Sequence, residues 1–146
     1  EFMRGRGIGL DVGTKTIGIA FSDPLGIAAH PHSTLSRLGV NKDCAALVEI
    51  CRQKGPVEHL IVGLPLELDG SEKRMARLAR QIGVALGELL ELSPIYIDER
   101  FTSVEAEEAL IRADVSRKRR KEVIDQAAAV LILQSWLDHG DWTQSR

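Results

Sequence analysis

The chain has 146 residues, 19 Lys and Arg against 21 Asp and Glu, and a formal net charge of −2 at pH 7. This length suits one domain whose core needs no disulfide or metal to fold. The near-neutral balance excludes binding of nucleic acid through a global positive field, and no apolar run reaches membrane-spanning length. We expect a cytoplasmic protein without a membrane partner, with one domain over residues 6–139 and polar tails at 1–5 and 140–146.

The first part of the chain reads as three strands and a helix, at residues 6–12, 15–22, 27–35 and 41–54. In the first strand bulky residues alternate with glycines, which leaves one face bare around Asp11 and indicates close approach of a ligand or backbone. Pro31 predicts an edge position for the third strand. Cys44 and Cys51 lie on the apolar side of the helix without metal-ligand spacing, so we expect reduced, semi-buried thiols.

The second part alternates strands and helices. Strands are predicted at 58–64 and 94–98, and helices at 71–92, 102–111 and 118–139. The order predicts an α/β fold with a mixed sheet, in which three antiparallel strands precede two crossover strands. Helices on both faces would complete three layers.

One carboxylate lies on an apolar stripe of the last helix. At helical spacing, Asp125 shares its face with four apolar residues, Ala128, Ala129, Ile132 and Trp136. This face should pack on the sheet, and the two alanines would let the helix approach closely. Asp125 is therefore predicted to point inward.

Further carboxylates lie at strand ends. Asp11 is in an apolar strand, where a charge is costly unless compensated. A divalent cation between Asp11 and Asp125 would offset both charges, and Mg²⁺ or Mn²⁺ suits oxygen ligands. Alternatively, each acid pairs with a neighbouring Arg or Lys. Asp98 and Glu99 point to opposite faces, and the residues alone do not separate them; Glu67 lies in a loop.

A run of five cations at residues 117–121 precedes Asp125 by four positions. Such a run is often only a solvated face, but here it would bring a phosphate backbone to the acidic site without reading sequence. The predicted nucleic-acid-binding residues are Lys15, Arg100, Arg117, Lys118, Arg119 and Arg120. The Gly13-Thr14 turn has only weak likeness to a phosphate cradle.

Four segments together resemble the YqgF/RuvX family of bacterial ribonuclease H-like proteins. They are residues 9–13, 62–65 with 69–71, 98–103 and 124–129, and the resemblance spans nearly all of 6–139. It implies a ribonuclease H-like fold with strand order 3-2-1-4-5 and a metal-dependent nuclease. It also implies that Asp11 and Asp125 are metal ligands with catalytic roles.

In such folds a third acid usually comes from the fourth strand, where this chain has Gly63. We assign the third catalytic and metal-binding role to Glu99, with Asp98 and Glu67 as the alternatives. The cofactor would be Mg²⁺ or Mn²⁺.

Two activities are attributed to the family, maturation of the 5′ end of the small-subunit (16S) ribosomal RNA precursor and Holliday-junction resolution. We favour the ribosomal RNA role, for a monomer or homodimer. Resolution of a four-way DNA junction would need a dimer, because two strands are cut symmetrically. A non-catalytic nucleic-acid binder is a further alternative. An ATPase of the actin and sugar-kinase type would need a second domain, for which this chain is too short.

Overall fold

The computed structural model describes residues 5–99 and 117–139, with side chains for 5–99 and 126–139. The elements in these ranges are β1 (Gly7–Val12), β2 (Thr16–Ser22), β3 (Ala29–Ser36), α1 (Val40–Lys54), β4 (His59–Leu64), α2 (Arg74–Leu90), β5 (Pro94–Asp98) and α3 (Arg117–His139). The predicted helix at 102–111 and the two tails, apart from residue 5, lie outside this description. No described helix has the length and apolarity that a membrane span requires.

The five described strands form one mixed sheet in the order β3-β2-β1-β4-β5, which confirms the predicted order. β1 is antiparallel to β2, with Asp11 opposite Gly18. β1 is parallel to β4, and β4 is parallel to β5. Because β4 lies between β1 and β5, residues from β1 and from the end of β5 can meet only across β4.

Helices cover both faces of the sheet, as predicted. Helices α1 and α2 pack on one face, over a core that includes Ile8, Leu10, Ile19, Leu60 and Val62. Helix α3 packs on the other face through Ala129, Ile132, Leu133 and Trp136, against Ile61 and Ile97. Successive residues of β1, β4 and β5 point to opposite faces of the sheet, so each one faces either α1 and α2 or α3.

β3 is an edge strand, as Pro31 predicts. Ile19 pairs with Ser33 and Ala20 with Pro31, so the register shifts by one residue at His32. Such a bulge places the proline where the ladder is already interrupted. β3 begins at Ala29 rather than at the predicted residue 27, because the carboxylate of Asp23 accepts hydrogen bonds from three backbone N–H groups, those of Leu25, Ile27 and Ala28.

α2 is shorter than predicted at both ends. Residues before it form a small hairpin, in which Glu67 N–H donates to Ser71 O (2.9 Å) and Leu66 bridges Glu72. The helix therefore begins at Arg74. It ends before Glu91, which adopts a left-handed conformation with φ of 58° and stops propagation of the helix.

Candidate metal centre

Asp11 lies on the face of β1 that packs against α3. A Cβ atom at Gly9, two residues earlier on the same face, would lie 2.7 Å from Leu133 Cβ and 3.0 Å from Ala129 O. The bare face of β1 is therefore occupied by the backbone of α3, one of the two possibilities that the glycines indicated. Asp11 is half-buried and lies farther along this face, towards the end of the strand.

Glu99 follows β5 directly, and its N–H donates to Leu64 O (3.2 Å). By strand alternation Glu99 shares the face of Ile97, which packs against α3. A Cβ atom at Gly63 would lie 2.6 Å from Glu99 Oε2 and would overlap the Cδ1 atom of Ile132. The side chain of Glu99 thus reaches over β4 through space that only glycine at position 63 leaves open.

The carboxyl groups of Asp11 and Glu99 meet across β4 and share a hydrogen bond. Burial, the charge and hydrogen bond of Asp11, and the charge of Asp98 raise the pKa of Glu99 to about 9. Two carboxyl groups in this position hold a proton between them at neutral pH or require a cation that compensates both. Asp11 therefore has a carboxyl partner that comes from another strand.

The other two candidates for the third acid lie elsewhere. Asp98 is the last residue of β5, opposite Leu64, and strand alternation places it on the face away from Glu99. Glu67 is exposed in the hairpin after β4. Of these three carboxylates, Glu99 is the one that the structure brings to Asp11.

The side chain of Asp125 lies outside the described residues, but the backbone of α3 includes this position. The next residue, Gln126, donates from Nε2 to Thr34 Oγ1 (3.1 Å). Thr34 pairs with Gly18, which in turn pairs with Asp11. Position 125 of the α3 backbone therefore lies level with Asp11 along the direction of the strands.

The predicted cationic residues divide between described and undescribed parts of the chain. Lys15 is exposed in the turn between β1 and β2. The cationic run at residues 117–121 forms the first turns of α3, which begins one residue before the predicted helix at 118–139. The remaining predicted residues are not described: this holds for the whole of Arg100 and for the side chains of Arg117, Lys118, Arg119 and Arg120.

The donor set at Asp11 and Glu99 suits a hard divalent cation, since both donors are carboxylates. Among the described side chains, no group of three or more His, Cys, Asp or Glu could hold a metal. A third protein ligand would therefore have to come from Asp125 or another residue beyond them. Gly13 does not cradle a phosphate, because its N–H donates to Thr16 O (2.8 Å) within the turn.

Sequence reasoning missed three arginines at this edge of the sheet, Arg37, Arg74 and Arg77, which line one groove together with Thr14. The sequence did carry a sign of a cationic surface at the start of α2, where Lys73 and Arg74 have no acid beside them in the first turn.

A family model described as RuvX, Holliday junction resolvase, matches residues 5–139. The chain belongs to the RuvX family. Among relatives of this RuvX-family chain, a Syntrophomonas wolfei protein named "Putative pre-16S rRNA nuclease" is 49% identical over 133 residues, covering 91% of the chain and 94% of the relative. A Myxococcus xanthus protein of the same name is 47% identical over 133 residues, covering 91% and 87%.

Solved structures with the same architecture include Thermus thermophilus RuvC in complex with a Holliday junction substrate. Its TM-score is 0.58 at 14% identity, covering 94% of the RuvX-family chain and 98% of RuvC. A second Thermus thermophilus RuvC structure gives a TM-score of 0.55 at 12% identity, covering 93% and 97%. At these identities the likeness concerns the fold alone, which is the ribonuclease H-like fold that RuvC also has.

Proposed function

We propose that this RuvX-family protein is a cytoplasmic, divalent-metal-dependent nuclease that processes the 5′ end of the 16S ribosomal RNA precursor. The observation that carries the proposal is the carboxyl pair of Asp11 and Glu99, which converge from two strands at one edge of the sheet. Membership in a nuclease family and relatives named for pre-16S rRNA support the choice of substrate.

Asp11 and Glu99 would hold Mg²⁺ or Mn²⁺, with Asp125 as the third carboxylate. A bound cation of this kind supplies a lowered pKa for the attacking water and stabilisation of the leaving oxygen. Burial and the charge of Asp11 raise the pKa of Glu99, and a divalent cation between two such carboxylates would offset both charges.

The chain's own residues position the reaction. Glu99 is oriented by its backbone hydrogen bond to Leu64 and by the open space at Gly63. Ile132, which is fully buried, covers the same space from α3. Lys15 and the cationic residues 117–120 would bind backbone phosphates of the substrate, which fixes the strand without reading its sequence.

The test is cleavage of a 5′-extended 16S precursor RNA by purified protein with Mg²⁺ or Mn²⁺, and in EDTA. We expect cleavage with either metal, none in EDTA, and none by Asp11→Asn, whose circular dichroism spectrum should match wild type. Asp23→Asn is the matched control, since Asp23 caps a turn through backbone hydrogen bonds and should retain activity. Full activity of Asp11→Asn would refute the proposal, and metal-independent binding without turnover would favour a non-catalytic binder.

Holliday-junction resolution is the second candidate, because the matching family description names it. Symmetric cutting of two strands requires two active sites and hence a homodimer. A labelled four-way DNA junction tests it in the same assay, with sedimentation of protein alone and with the junction. Paired symmetric nicks by a dimer would favour this function over RNA processing, whereas a monomer under both conditions would exclude it.

A further inference from the structure

A groove with a volume of about 320 Å³ lies at the same edge of the sheet as Asp11, on the side of α1 and α2. Its lining residues are Thr14, Arg37, Arg74, Arg77, Leu78 and Gln81. Three of the six are arginines and none is acidic. The groove is therefore positively charged, although the whole chain carries a net charge of −2.

The nearby carboxylates are paired: Asp43 offsets the charge of Arg37 within the groove, and Glu72 is engaged outside it. Asp43 is buried and accepts from Arg37 Nε (2.8 Å) and from Leu38 N–H (2.8 Å). Glu72, just before α2, pairs with Arg80 at 2.7 Å. Among the described residues, Arg74 and Arg77 have no side-chain hydrogen bond or ion pair, and both are exposed. Their charges are thus available to a ligand.

Structural stability does not explain this arrangement. Lys73, Arg74 and Arg77 lie at the amino end of α2, where the helix dipole is also positive, and no acid occupies the first turn. Repulsion among these exposed charges and the helix dipole adds nothing favourable to folding. A bound polyanion would reverse the sign of this interaction.

The turn between β1 and β2 connects the groove to the strand that carries Asp11. Arg37 Nη1 donates to Gly13 O (3.2 Å), and Thr14 lines the groove three residues after Asp11. Three residues span at most about 10 Å, comparable to about three nucleotides along one strand. One nucleic-acid strand can therefore lie in the groove and reach the carboxyl pair.

We propose that this groove binds the phosphodiester backbone of the nucleic-acid strand beside the bond that is cut, through Arg74 and Arg77 with Arg37 fixed behind them. The inference rests on the proposed nuclease function and adds an interface to it on the α1 and α2 side, opposite the cationic start of α3. Contacts of this kind are insensitive to sequence and to the sugar.

The test is binding of a fluorescent single-stranded RNA, and of a DNA of the same sequence, in EDTA at several salt concentrations. The double variant Arg74→Gln, Arg77→Gln should bind both strands about tenfold more weakly, with a salt slope smaller by about 1.5. Arg52→Gln, Lys54→Gln is the matched control, since it removes two charges at the far end of α1 and should bind like wild type. The single variants should each give about half of the slope change.

The outcomes separate this inference from the proposed function. If the double variant keeps wild-type affinity and salt slope, the proposal that the groove binds nucleic acid is refuted, even if Asp11→Asn abolishes cleavage. Weakened binding by the double variant supports the groove even if wild type cleaves no substrate, which would refute the nuclease proposal instead. A loss confined to RNA would also contradict the inference, because it would indicate a contact with the 2′-hydroxyl rather than with phosphate.

Discussion

The carboxyl group of Glu99 lies in the space that a side chain at Gly63 would occupy. A Cβ atom at position 63 would lie 2.6 Å from Glu99 Oε2. Since β4 separates β1 from β5, this gap in the middle strand lets carboxylates from the two flanking strands meet. The carboxylate that follows the fifth strand thus occupies space left by a glycine on the fourth.

Glu99→Gln should lower the cleavage rate by about 100-fold or more, because an amide cannot supply the second anionic ligand. Its melting temperature without metal should not fall, since burial and the charge of Asp11 raise the pKa of Glu99, and glutamine removes the repulsion between the two carboxylates. Asp98→Asn, on the opposite face, should stay within a few-fold of wild type. Equal loss of activity in both variants would contradict the assignment of Glu99.

Gly63→Ala should displace the Glu99 side chain and reduce cleavage by about tenfold or more, while overpacking costs about 1–3 kcal/mol of unfolding free energy. Gly83→Ala is a control on the other face, where the new Cβ would lie 2.6 Å from Tyr96 Oη. The two variants should lose similar stability in chemical denaturation, and only Gly63→Ala should lose activity. A parallel loss of activity in Gly83→Ala would indicate a general effect of destabilisation.

Gly9→Ala and Gly7→Ala should differ in stability although they lie on the same face of β1. At Gly9 the new Cβ meets Leu133 Cβ at 2.7 Å and the Ala129 carbonyl at 3.0 Å, so α3 must shift. At Gly7 the nearest atom is the flexible tip of Leu133 at 3.3 Å. Urea denaturation should show a loss of about 1–3 kcal/mol for Gly9→Ala and less than half of that for Gly7→Ala.

Asp43→Asn should destabilise the protein by about 2–4 kcal/mol at neutral pH, because it leaves the largely buried Arg37 without its carboxylate. Burial by itself would raise the pKa of Asp43, but hydrogen bonds from Leu38 and Arg37 outweigh it and lower the pKa below its ordinary value of 3.8. The stabilisation is therefore present above that value and is lost as pH falls through the lower folded-state pKa.

Denaturation of wild type and Asp43→Asn across pH measures this dependence. The difference in unfolding free energy should be constant between about pH 7 and pH 5 and should shrink below about pH 4. Glu49→Gln serves as the control, since the ion pair of Glu49 with Arg52 is exposed and should leave no measurable change. A difference that grows on acidification would contradict the sign.

Much of the fold follows from periodicity. The alternation of glycine with bulky residues in β1 and the apolar stripe of α3 predicted two surfaces that do pack together. The pattern left open whether a ligand or a backbone approaches Gly9, because both require the same absence of a side chain. The predicted start of β3 at residue 27 was wrong because side-chain capping by Asp23 has no periodic signal.

The candidate site was less accessible from sequence. Alternation put Asp98 and Glu99 on opposite faces but did not say which face carries α3, and that depends on tertiary packing. The arginines of the groove come from the loop before α1 and from α2. These three arginines come together only because the two helices pack against each other. Arg37 is far from Arg74 and Arg77 in the sequence, so the three form no recognisable motif. The metal-ligand role of Asp11, Glu99 and Asp125 stays a prediction.

The position of β4 between β1 and β5 also has a consequence for folding order. Asp11 and Glu99 are near opposite ends of the described sequence before α3, and two parallel crossovers must close before they can meet. Closure of such long loops is an entropically costly, late event. A nascent or partly folded chain that lacks β5 therefore has no carboxyl pair, and the proposed metal site would form only with the finished sheet.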